Sequence, residues 1–131
     1  MHENDLGRNI LDAAFHVHRS LGPGLLESVY ETVLAYELQK RGLAVRRQVP
    51  IPIEYECLTF DEGFRADLIV DVKVIVELKS VTQLSAAHRK QIQTQLRLSG
   101  LKLGYLINFG EALLRDGIVR AVNGLEDEPV A

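Results

Sequence analysis

The sequence predicts a single α/β domain with a mixed sheet, and three observations carry that prediction. Apolar residues recur at helical spacing over the first forty positions and again around residues 86–98. Between and after these stretches lie short runs rich in Val and Ile, the β-branched residues that favour strands. The two patterns follow one another as α-α-β-β-β-α-β, an order that places helices against a central sheet. At 131 residues and 47% hydrophobic, the chain is one domain long and can bury a normal core.

Each element has its own warrant. Leu6, Ile10, Ala13, Ala14, Val17 and Leu21 form the first helical stripe, with Asn4 or Asp5 as N-cap and Gly22-Pro23-Gly24 as the stop. A second helix is predicted from Leu25 to Arg41, with Leu26, Val29, Tyr30, Val33, Leu34 and Leu38 as its stripe and Gly42 just past its end. Ala44 to Ile53 reads as a strand that Pro50 and Pro52 push to an edge. Ile53 to Phe60 reads as a short strand and turn. Phe64–Val70 and Val74–Val81 read as a hairpin around Asp71-Val72-Lys73. The third helix runs from Ala86 to Leu98, capped by Ser85 and stopped by Gly100. Leu103–Phe109 is an apolar strand, and Ile118–Val122 fits a short edge strand. The domain is expected over residues 1–125, with 126–131 as a solvated acidic tail.

Composition narrows the function classes. The net charge is −3 and the pI about 5.8, so no overall basic field argues for nucleic acid, although a local patch can suffice. Cys57 is the single cysteine, so no intrachain disulfide forms and a reducing compartment fits. Glu3, Asp5, Arg8, Asp12 and Arg19 interrupt any signal-peptide core, and no apolar run reaches membrane-spanning length. A soluble cytoplasmic protein without a membrane partner is the expectation, and a homo-oligomer is left open. No P-loop, GxGxxG, GxSxG or CxxC is present.

Charge inside apolar strands marks the candidate site. Asp67 sits in Arg65-Ala66-Asp67-Leu68-Ile69-Val70, and Glu77 and Lys79 sit in Val74-Ile75-Val76-Glu77-Leu78-Lys79. Taking a carboxylate or an ammonium out of water costs several kcal/mol unless it is paired or ligated. Glu77 and Lys79 are two apart and share a strand face. A three-residue loop at 71–73 pairs Val70 with Val74 and so sets Asp67 opposite Glu77. Two such carboxylates can share a hard cation such as Mg²⁺. An internal salt-bridge cluster is the competing explanation. Glu27 opens the second helix, where the macrodipole alone would account for it. His88, Gln91 and Gln95 form a polar stripe on the third helix, which solvation also explains. Arg41, Arg46, Arg47 and Arg65 are the candidate phosphate-backbone contacts, unless they are simply scattered.

The stretch His18-Arg19-Ser20-Leu21-Gly22-Pro23-Gly24-Leu25-Leu26-Glu27-Ser28-Val29-Tyr30-Glu31 resembles the defining motif of the GxxExxY proteins. That family is placed in the PD-(D/E)XK nuclease-like superfamily. The resemblance implies a restriction-endonuclease-like core, with a mixed sheet flanked by helices. It implies that Asp67 is the superfamily aspartate and that Glu77-Leu78-Lys79 is the (D/E)-x-K element. Glu27 would complete the metal site, and His88 and Gln91 would match a His-x-x-Gln pattern in the following helix. Related nucleases often carry Tyr where this chain has Gln95. The implied activity is a Mg²⁺- or Mn²⁺-dependent nuclease acting on nucleic acid, with DNA as the expected polymer. Asp67, Glu77, Glu27 and the Leu78 backbone carbonyl would hold the metal, while Lys79 and Gln91 complete the catalytic set. Arg65, Arg46, Arg47 and His88 would contact the polymer. The alternatives are a silent binding module on the same fold, for nucleic acid or protein, and a phosphohydrolase of small nucleotides.

Overall fold

Two helices, a five-stranded sheet and a third helix form three layers in the computed structural model, which describes residues 1–126. The helices are α1 (Glu3–Leu21), α2 (Glu27–Lys40) and α3 (Ala86–Ser99). The strands are β1 (Val45–Tyr55), β2 (Leu58–Val70), β3 (Val74–Lys79), β4 (Leu103–Asn108) and β5 (Ile118–Val122). They lie in the order β1-β2-β3-β4-β5, antiparallel except for the parallel β3–β4 pair. A parallel neighbour needs a crossover, and α3 supplies it. A mixed sheet flanked by helices is the restriction-endonuclease-like arrangement.

The alternation of side chains along the strands divides the core in two. Val74, Val76 and Leu78 of β3 pack with α1 and α2 through Leu6, Ile10, Leu34 and Leu38. Ile75 faces the other way and packs with Ile92 and Leu96 of α3. Ser85 caps α3 through a reciprocal capping box with His88, and Gly100 ends it in the left-handed conformation.

Several boundaries differ from the sequence expectation for local reasons. His2 rather than Asn4 or Asp5 caps α1, its Nδ1 accepting the Asn4 N–H at 2.9 Å. On α2, Leu26 is 74% exposed and Val29 is exposed, while Glu31 is buried in the stripe instead. The segment at 53–60 is no separate strand. It continues β1 and β2 into one long hairpin, turned at Glu56, which adopts a positive φ. β1 is the edge strand, and its register shifts between Ile51 and Ile53, around Pro52. Beyond Lys79, the end of β3, the buried Asn108 side chain takes over the pairing at Val81. Its Oδ1 accepts the Val81 N–H, and its amide donates to the Val81 carbonyl. No helix among the described residues is long and apolar enough to cross a membrane. The expected tail lies outside the described residues apart from exposed Glu126.

Candidate active site

The β2–β3 ladder is short. Val70 pairs with Val74, Ile69 with Ile75 and Leu68 with Val76, the register expected from a three-residue loop. One step further, two side chains replace the ladder. The Glu77 carboxylate accepts the Asp67 N–H at 3.1 Å, and the Asp67 carboxylate accepts the Leu78 N–H at 2.9 Å. Backbone donors that diverging strands would leave orphaned are thereby satisfied. The divergence also shows in the packing. Leu68 lies in the core under α1 and α2, whereas Ala66, two residues away, joins the core under α3. Strand alternation therefore breaks at Asp67.

The pairing of two carboxylates has an electrostatic cost. Burial pushes the Glu77 carboxyl up to about 8, and the Asp67 charge beside it adds to the rise. The Asp67 N–H and the Lys79 ammonium oppose that shift without cancelling it.

Helix α2 brings further groups to the same place. A cavity of about 430 Å³ is lined by Glu27, Ser28, Glu31, Gln48, Asp67 and Leu78. Glu27 is the first residue of α2, and a local device sets its position. Gly24 adopts a positive φ of 98°, which a side chain would disfavour. The Tyr30 hydroxyl donates to the Gly22 carbonyl at 2.5 Å and accepts the Leu25 N–H at 3.1 Å. Its ring stacks on Phe109 at 4.5 Å between centroids. Ser80, just past β3, donates to the Leu25 carbonyl at 2.6 Å. The glycine and the tyrosine of the motif thus hold the loop that delivers its glutamate.

A family model of the PD-(D/E)XK nuclease superfamily matches residues 4–121. The chain belongs to the PD-(D/E)XK nuclease superfamily. The matched span runs through every helix and strand, from α1 to β5. No curated protein and no solved structure gives a significant match.

Nucleases of this superfamily typically use divalent metals, and the donor chemistry here is compatible with one. Asp67 and Glu77 are adjacent hard oxygen donors whose mutual repulsion a cation would relieve. Each already has one hydrogen bond from the backbone, which leaves carboxylate lone pairs for a metal. Glu27 stands across the cavity rather than against them. Among the described residues, no three His, Cys, Asp or Glu side chains converge closely enough to hold an ion.

Two neighbours of the carboxylate pair carry no assignment from the sequence. Gln48 lies across the sheet from Asp67, between the pairs Arg47–Leu68 and Val49–Ala66, and has a φ of 50°. Its amide donates to Asp67 Oδ1 at 3.3 Å and also to Glu31 Oε1. Buried Glu31 in turn accepts from Arg47 at 2.9 and 3.1 Å. A readable signal existed for Glu31, a carboxylate within the apolar stripe of α2. Gln48 had none, because its role depends on a left-handed residue inside a strand.

The remaining candidates separate. Lys79 ends β3, its carbonyl accepting the Phe109 N–H at 2.8 Å, and by alternation its side chain shares the Ile75 face. Gln91 is exposed on α3. His88 is engaged in the α3 cap. Arg47 is bound to Glu31, Arg65 to Glu62 at 2.6 and 3.0 Å, and Arg41 lies 4.0 Å from Asp12. Arg46 lines a groove with Ile69 and Leu98, on the sheet face opposite Arg47. The four arginines do not form one patch.

Proposed function

We propose that this protein is a divalent-metal-dependent phosphodiesterase that cleaves nucleic acid, DNA in the first instance. One observation carries the reading: Asp67 and Glu77 are locked together where β2 and β3 part, with Lys79 two residues on and Glu27 across the cavity. Asp67, Glu77 and the Leu78 carbonyl would hold Mg²⁺ or Mn²⁺, joined by Glu27 directly or through water. When bound, the metal supplies Lewis-acid polarisation of the scissile phosphate and acidifies a ligated water. Lys79 donates hydrogen bonds to the charge that develops on the phosphoryl oxygens. Gln91, exposed on α3, would orient a phosphate oxygen of the bound polymer. Gln48 holds the Asp67 carboxylate in place from the α2 side. Exposed free Cys57 fits a reducing cytoplasm.

A cleavage panel of duplex DNA, single strands, RNA and nucleotides, with Mg²⁺ or Mn²⁺, tests the reading. Cleavage that disappears in Lys79→Ala supports it. Wild type that cleaves nothing refutes it. A second reading, a binding module that retains the fold without turnover, is favoured by the separation of Glu27 from the carboxylate pair.

A further inference from the structure

We propose that the outward face of α3 is the surface on which the phosphate backbone of the polymer lies. The proposal rests on the nuclease reading and adds to it the direction from which substrate approaches. Its origin is an uneven distribution of charge. Residues 78–110 contain five of the fifteen Lys and Arg and none of the eighteen Asp and Glu. The longer of two acid-free basic stretches has α3 at its centre, whereas in the other, residues 38–53, Lys40, Arg41 and Arg47 pair with Glu37, Asp12 and Glu31.

The fold turns the α3 stretch outward. Ile92, Gln95 and Leu96 are the buried residues of α3. Arg89, Lys90 and Arg97 are exposed on its other side, and exposed Lys102 follows the helix. None of these four cations has a carboxylate oxygen within 4.0 Å among the described residues. Arg47 and Arg65, by contrast, are already committed to Glu31 and Glu62. A cation without an internal partner keeps its full capacity to displace counterions from a polyanion.

Position and length also fit. Helix α3 follows the strand that ends in Lys79, so Arg89 and Lys90, in its first half, lie at the end nearer the candidate site. From Arg89 to Arg97 the helix rises about 12 Å, at roughly 1.5 Å per residue. A nucleic-acid strand advances about 3.4 Å per phosphate, so that length can follow several phosphates. The far end of the β1–β2 hairpin has the opposite character. It carries Glu54, Glu56, Asp61 and Glu62, and its nearest cation, Arg65, is neutralised by Glu62. A polyanion is repelled from that arm and attracted to α3.

The test is binding of labelled short duplex and single-stranded DNA by fluorescence anisotropy, in EDTA across a salt series. Removing divalent metal separates binding from cleavage. Arg89→Ala, Lys90→Ala and Arg97→Ala should each lower the salt slope by about one unit on duplex. The triple variant should lose about tenfold or more in affinity at moderate salt, while melting at the wild-type temperature. Lys40→Ala, on α2, should bind as wild type does. A folded triple variant with unchanged affinity and slope overturns the proposal. So does wild type that fails to bind DNA at low salt, or that prefers vesicles of phosphatidylserine and phosphatidylcholine to DNA. Loss of DNA binding in the triple variant, with no cleavage by wild type, leaves this surface standing and removes the nuclease reading. Cleavage with an unchanged KM in the triple variant does the reverse.

Discussion

The two sides of the β3 terminus handle charge in opposite ways. On the α2 side, charged groups are bonded to one another: Arg47 to Glu31, Glu31 to Gln48, and Gln48 to Asp67. On the α3 side, Lys79, Arg89, Lys90 and Arg97 have no carboxylate within 4.0 Å among the described residues. A charge satisfied inside the protein gains little from a ligand, but it holds its neighbour still. A charge left unmatched contributes nothing to position and retains its attraction for an anion. The α2 side therefore reads as a frame and the α3 side as a receiver.

The sharpest way to break this contrast is to remove one charge at its centre. Lys79→Ala should cut turnover by about 10²–10³-fold while substrate binding changes little. Asp67→Asn should be as damaging to turnover and should also abolish Mn²⁺ binding in calorimetry. Equal Mn²⁺ binding by wild type and Asp67→Asn would remove Asp67 from the site.

Proton linkage at Glu77 comes next. Its carboxyl ordinarily titrates at 4.5 and is raised to about 8 in the fold. Between those values the folded protein keeps a proton that the unfolded chain releases. The associated stability is complete below the lower value and is lost as pH rises through the upper one, a change on the order of a few kcal/mol. Urea midpoints of the metal-free protein should accordingly fall from about pH 5 to about pH 8, and Glu77→Gln should flatten the profile. Mn²⁺ affinity of wild type should rise over the same window, because metal and proton compete.

The frame itself predicts smaller effects. Glu31→Ala leaves the Arg47 guanidinium and the Gln48 amide without their acceptor, and should cost about 1–3 kcal/mol by chemical denaturation. Gln48→Gly separates backbone from side chain. Glycine accepts the left-handed conformation without strain, which offsets part of the cost of the two lost amide bonds. The melting temperature should therefore fall less than in Glu31→Ala. Turnover should nonetheless fall about tenfold, a loss of about 1.4 kcal/mol, if the amide positions Asp67. A variant as active as wild type would show that Gln48 serves only the strand. Arg65→Ala should change least, since its exposed pair with Glu62 belongs to neither side. Its melting temperature and DNA affinity should match wild type.

Local signals were well read from the chain. The loop at 71–73 set the hairpin register, and Ser85 and Gly100 bounded α3 correctly. What stayed hidden depends on partners distant in sequence. Glu31 shows in the sequence only as a carboxylate within the apolar stripe of α2, because its partners Arg47 and Gln48 come from another element. Val29 fitted the stripe by spacing, yet α2 rotates to bury Glu31 and Ala35. The long β1–β2 hairpin was split at Ile53 because two prolines and a positive-φ turn resemble breaks. Arg41, Arg46, Arg47 and Arg65 read as one candidate patch in the sequence, because the contrast between paired and unpaired cations needs the fold.

The strand that carries Glu77 and Lys79 has three partners on β2 but six on β4. Its last residues are fastened by Asn108 and Phe109, some thirty positions later in the chain. During synthesis the acidic pair can form as soon as its hairpin leaves the ribosome, while β3 remains an open edge. Lys79 acquires its support only after β4 has emerged. A nascent chain stopped before Asn108 would thus hold Asp67, Glu77 and Lys79 and still lack the contacts that fasten the end of β3.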